Sequence, residues 1–245
     1  TNYTPFIVLG RSRVGSNLLR GLLNSHPAIT AFGEIFRDHG TLDWDHTGYF
    51  SSKQSHSLIA SDPVKFLDLR VLGRYPRRVQ AVGFKLFYYH AHEGRSASVW
   101  AYIRDRRDLK IIHLKRWNIL HTHLSRKLAT VTDRWVSRSD RADAAEPIRL
   151  DYEECLNDFA RTRAWESEYD RFFADHQMLP VQYERLADAY APEMERIESF
   201  LGVSSRPVHP STFRQTRQRL SEAISNYDEL KAKFAGTAWE AFFVE

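Results

Sequence analysis

Apolar positions along the chain follow two alternating patterns. Short, nearly unbroken apolar runs occupy residues 5–9, 79–86 and 109–114, as expected for strands covered on both faces of a parallel sheet. Residues 28–32, a weaker run, and 178–183 complete a set of five. Between them, apolar residues recur at helical spacing over 15–25, 98–104, 117–130, 152–176, 192–201 and 220–234. Strand alternating with helix predicts an α/β fold, a three-layer α/β/α arrangement around a central parallel sheet of about five strands. Two polar stretches, 37–63 and 131–150, interrupt the pattern and are predicted to be lid loops. No repeat, low-complexity tract or shift in composition divides the chain, so residues 1–245 are read as a single domain.

Composition adds little to this picture. A chain of 245 residues with 42% hydrophobic and 13% aromatic residues can bury a substantial core and is not of the disordered class. Lys and Arg outnumber Asp and Glu by 35 to 31, a mild excess that could still converge on one anionic ligand. The single cysteine, Cys155, excludes an intramolecular disulfide framework and fits a reducing compartment. No apolar run reaches bilayer length and no signal-peptide pattern is visible, so a cytoplasmic protein without an integral membrane segment is expected. The start at Thr1 leaves a removed leader open.

In open α/β sheets the ligand crevice lies at the carboxyl ends of the strands. The first strand runs into Gly10-Arg11-Ser12-Arg13-Val14-Gly15-Ser16-Asn17 and then an apolar-periodic helix. That is the layout of a phosphate cradle, with loop amides and a helix N-terminus facing an anion. The Gly10-x4-Gly15 spacing imitates a nucleotide P-loop, but Ser16-Asn17 stands where the Lys-Ser/Thr pair belongs, and the cation is Arg13. An ordinary strand-to-helix turn with Ser as N-cap is the plainer reading. Lys115-Arg116 ends the fourth strand, where a magnesium-dependent NTPase commonly has an acidic residue, and Ser125 follows on the next helix. A guanidinium fork and a hydroxyl suit a second phosphate without metal.

Lys85 lies inside the third apolar run, where it either reaches an anion or snorkels from a sheet edge. Glu34 sits between apolar residues after the second run. Partial burial would raise its pKa and suit a general base; a solvent-facing loop glutamate is the alternative. His90/His92 and His121/His123 lack a completing ligand set, so no metal site is expected. The basic cluster around Arg214 and Gln215 is either a linker or an arm on the same anion.

Taken together, Gly10–Asn17, Asn24-Ser-His-Pro27, Gly33-Glu-Ile-Phe36 and Ile111 through Ser125 resemble bacterial carbohydrate sulfotransferases of the nodulation-factor and trehalose types. Val181–Leu186, Phe200–Val203 and Leu220–Leu230 are similar to later landmarks of that family, in the same order. The resemblance implies a P-loop-like sulfotransferase fold and a donor, 3′-phosphoadenosine 5′-phosphosulfate (PAPS), with adenosine 3′,5′-bisphosphate (PAP) as product. It implies that Arg11, Ser12, Arg13, Val14, Gly15, Ser16 and Asn17 take the 5′-phosphosulfate, and Arg116 and Ser125 the 3′-phosphate. Arg214 and Gln215 would help hold the nucleotide. Glu34 matches the family's general base, although other sulfotransferases use histidine, and Arg13 and Lys85 would stabilise charge on the transferring group. The acceptor would be a hydroxyl on a carbohydrate or glycolipid, bound under the loops at 37–63 and 131–150, with no nucleic-acid partner. Two other classes stay open from the residues themselves: a P-loop-type small-molecule kinase, which should need Mg²⁺, and a nucleic-acid-binding module with steep salt dependence.

Overall fold

The protein is described here by a computed structural model covering residues 2–37, 42–132, 146–211 and 218–244. Five parallel strands form one sheet in the order β2-β3-β1-β4-β5. They are β1 (Thr4–Gly10), β2 (Ile29–Phe32), β3 (Ala81–Phe87), β4 (Lys110–Lys115) and β5 (Met178–Gln182). Each falls within about two residues of the run that predicts it. In β1 the register pairs Val8 with Lys85 on one side and with Ile112 on the other.

Helices cover both faces, because alternate residues of each central strand bury on opposite sides. Ile7, Leu9, Phe84, Leu86 and Ile111 pack with α3 (Pro63–Phe66), α4 (Ser98–Asp105) and the end of α6 (Tyr152–Phe172). Phe6, Val8, Ile112 and Leu114 pack with α1 (Ser16–Ser25), α7 (Tyr183–Asp188) and α8 (Tyr190–Leu201). A third cluster joins α5 (Ile119–Thr132), the start of α6, α9 (Leu220–Ala223) and α10 (Tyr227–Phe234). Among the described residues no helix is long and apolar enough to cross a membrane.

Two expectations about elements are corrected. Residues 37–63 are not a continuous loop: α2 (Lys53–Ser61) forms there, started by the Ser52 side chain accepting from the Ser55 amide. Trp44 and Tyr49 of the same stretch pack on Phe32 in the core, with ring centroids 5.2 and 4.7 Å from it. The helix expected over 220–234 is broken into α9 and α10. Between them, the Ser225 amide donates to the Ile148 carbonyl (3.0 Å), and Asn226 exchanges two hydrogen bonds with the backbone of Leu150. Pairing with a distant segment there outweighs helix continuity.

The turn after β1 depends on two left-handed residues, Arg13 (φ +67°) and Gly15 (φ +87°). Gly15, not Ser16, caps α1. A Cβ on Gly15 would overlap the Tyr183 ring, in a conformation that L-residues avoid. Gly15→Ala is therefore expected to destabilise the fold by roughly 1–3 kcal/mol and to disturb the Arg13 turn, as read by denaturant unfolding. An unchanged midpoint would mean that Tyr183 yields without cost.

Candidate active site

The carboxyl ends of β1, β2 and β3 open into a cleft of about 1120 Å³. Lys85 lies on β3, between β2 and β1, so it is no edge residue that snorkels out. It is 2% exposed, and its Nζ donates to Asn17 Oδ1 (2.6 Å) and Glu34 Oε1 (3.0 Å). Three side chains from α1, β3 and the turn after β2 thus meet in one hydrogen-bonded group.

Glu34 departs from its expected protonation behaviour. Burial pushes its pKa up, but the Lys85 charge and hydrogen bond, with His90 and Arg37, outweigh burial and hold it below the usual carboxylate range. Glu34 is therefore a carboxylate at neutral pH, ready to accept a proton. His90 Nε2 lies 3.9 Å from Glu34 Oε2. The Phe87 amide donates to His90 Nδ1 (3.3 Å), which leaves Nε2 as the protonated nitrogen facing the carboxylate. A histidine held in that tautomer does not take a proton from an acceptor at Nε2.

The segment carrying His90 is pinned from several sides. The Tyr88 hydroxyl donates to His113 Nε2 (2.6 Å), and His113 Nδ1 donates to Asp170 (2.8 Å). Burial and the nearby Lys115 lower the His113 pKa to about 4, so it is neutral in this relay. Trp100 Nε1 donates to the His90 carbonyl, and the Tyr169 hydroxyl to the Tyr88 carbonyl.

The phosphate-loop residues divide into groups. Arg13 Nε donates to Ser125 Oγ (2.9 Å), and Arg116 NH1 donates to the Arg13 carbonyl (3.2 Å). Arg13, Arg116 and Ser125 are therefore joined in one connected patch. The guanidinium of Arg116 also stacks 4.5 Å from the Tyr183 ring centre. Ser16 and Asn17 line the cleft at the start of α1, whose first turn has no side-chain cap and no acidic residue. The Ser12 amide is taken by the Tyr89 hydroxyl (3.1 Å). Val14 is a core side chain, leaving only its backbone for a ligand. Lys115, the other cation at the end of β4, turns away from the patch to Asp170 (2.6 Å). Arg214 and Gln215 lie outside the described residues.

Arg11 is committed to structure. Its guanidinium is 2% exposed, bonded to the Thr162 hydroxyl and to Asp158 Oδ1 (3.1 Å). Asp158 also receives Arg126 (3.0 Å) and His123 (3.1 Å). Burial would raise its pKa, but His123, Arg11 and Arg126 hold it far below the usual range. Among the described residues lining the cleft, seven Lys and Arg face five Asp and Glu. The same residues contain no group of His, Cys, Asp and Glu that could hold a metal ion.

No family model matches the chain. It is 26% identical to Nodulation protein H of Rhizobium meliloti over 98% of its own length and 94% of that protein. It is 27% identical to Nodulation protein H of Rhizobium tropici, covering 98% of this chain and 92% of the relative. Among solved structures it is similar to a sulfotransferase from Alicyclobacillus acidocaldarius, with a TM-score of 0.54, 16% identity, and coverage of 99% of this chain and 96% of the other. The likeness to that structure shows the fold, and both relatives match the chain over nearly its whole length.

Several cleft residues were not singled out by sequence reasoning. Tyr89, Asn157, Asp158, Arg161 and Trp165 all line it. The legible signal was in α6, where polar and aromatic residues recur every four positions on a helix otherwise used for the core.

Proposed function

We propose that the protein is a sulfotransferase that moves a sulfuryl group from PAPS to a hydroxyl of a carbohydrate acceptor. The observation that carries the reading is the Asn17–Lys85–Glu34 group beside the Arg13 turn: an ionised carboxylate held next to a cationic, amide-rich cradle. The fit to the donor is chemical. The start of α1 has no side-chain cap and no acidic residue, the lining is cationic in excess, and Arg13, Arg116 and Ser125 offer two guanidinium groups and a hydroxyl.

When bound, the donor supplies the sulfuryl group, whose bond to the 5′-phosphate breaks as the acceptor oxygen bonds to sulfur. Glu34 takes the hydroxyl proton. Lys85 keeps Glu34 ionised and aimed through its two hydrogen bonds. Arg13, Ser16 and Asn17, at the N-terminus of α1, offset the charge that grows on the departing phosphate. The products are a sulfate ester and PAP. The chain acts as one catalytic domain, with Asp43 and Asp45 of the 37–63 stretch lining the cleft; most of the 131–150 stretch lies outside the described residues. The single buried thiol, Cys155, fits a cytoplasmic setting.

Calorimetry with PAP and with ADP, each with and without Mg²⁺, tests the donor assignment. PAP is expected to bind without metal at least about tenfold tighter than ADP, a difference of roughly 1.4 kcal/mol. Arg116→Ala should erase most of that preference. Binding of ADP that requires Mg²⁺, with no preference for PAP, would establish a kinase-like site instead.

A further inference from the structure

Asn157, Arg161 and Trp165 recur every four residues along α6, the spacing that stacks side chains on one helix face. All three line the cleft that holds Glu34. Asn157 and Arg161 are exposed and Trp165 is partly buried. The Arg161 guanidinium lies 5.9 Å from the Trp165 ring centre, so cation and ring form one continuous surface. Beside it stands Tyr89, 38% exposed, its ring centre 5.8 Å from that of Trp165 at 49°.

Tyr89 is fixed in place. Its hydroxyl accepts from the Ser12 amide in the phosphate loop, and its neighbours Tyr88 and His90 are tied to His113, Tyr169 and Trp100. Two partly exposed rings are therefore presented on a rigid support inside a cleft whose other lining is almost entirely polar or charged. Exposing rings to such a cleft leaves apolar surface wet, and a ligand with one apolar face relieves that.

Resting on the sulfotransferase reading, we propose that Tyr89 and Trp165 form the acceptor platform, on which a pyranose ring lies by its C–H face. Asn157 and Arg161 meet the hydroxyls at its rim. A sugar ring has this division, an apolar face and a polar edge. A phenol or an aliphatic alcohol asks instead for an enclosed apolar pocket, which the described residues of this cleft do not form. The platform runs from the Phe87–His90 turn beside Glu34 towards Arg161, so an acceptor longer than one ring extends along α6.

The test is saturation-transfer NMR of cellotetraose and maltotetraose added to the PAP-bound protein, with 4-nitrophenol as the aromatic comparison. Saturation should reach the ring C–H protons of at least one saccharide. Trp165→Ala should weaken that saccharide roughly tenfold, Trp165→Phe should restore part of the loss, and PAP affinity should stay within about twofold in both. Equal saccharide binding by Trp165→Ala and the parent protein, with PAP still bound, overturns the platform and leaves the donor reading intact. Transfer to 4-nitrophenol with none to either saccharide overturns the sugar class. Failure of PAP to bind the parent protein removes the donor reading, and the proposal with it.

Discussion

Glu34→Gln is expected to lower turnover by about 10²–10⁴-fold, the usual cost of losing a general base, while PAP affinity changes little; the unfolding midpoint falls as well, because Lys85 stays buried without its counter-charge. Glutamine keeps the shape and still accepts from Lys85, so the loss isolates the carboxylate as proton acceptor. Initial rates at saturating donor measure it, and turnover within about threefold of the parent would remove Glu34 from the reaction.

The pH dependence sharpens the same assignment. Glu34 titrates below the ordinary glutamate value of about 4.3 because Lys85 more than offsets its burial. Activity should therefore be independent of this group from neutral pH down to that value, and lost only as pH falls further below it. Lys85→Met removes the cation and leaves the burial. The largest opposing charge is then gone while the burial remains, and the acid limb of kcat/KM should move to higher pH. An acid limb that stays in place in Lys85→Met would show that Lys85 does not set the state of the base.

Asp158→Ala is expected to produce the largest loss of stability. Asp158 joins Arg11 at the end of β1 to Arg126 and His123 on α5, from its own place on α6. Removing one partner of a buried charged group typically costs about 3–5 kcal/mol, because the remaining charges lose their partner where water cannot replace it. For a chain of this size that corresponds to a fall in Tm of roughly 10 °C. The depressed pKa means that this contribution is present above the ordinary aspartate value of about 3.9. It fades only as pH falls below that value towards the folded-state one, so the difference between variant and parent should be flat from neutral pH to about 5. A loss under about 1 kcal/mol by denaturant unfolding would show that α5, α6 and β1 are held together by packing alone.

Residue pattern determined the fold class and most of the element order. Five strands and the helices between them follow from apolar periodicity, because burial on two faces or on one stripe leaves a mark every residue or every three to four. The Gly10–Asn17 turn, Glu34 and Lys85 were also legible as candidates, since each is a polar group at the end of, or inside, an apolar run. What the sequence did not hold was pairing across distance. Lys85 was ambiguous until β3 proved to lie inside the sheet, 68 positions from Asn17 yet within a hydrogen bond of it. The same contact with Glu34 turned an expected rise in pKa into a fall. Arg11 read as a phosphate ligand, but Asp158, 147 positions away, claims it for the core. Composition and spacing report burial, which each residue carries locally. Which charge meets which, and therefore which carboxylate is free to take a proton, is decided only when the strands and α6 come together.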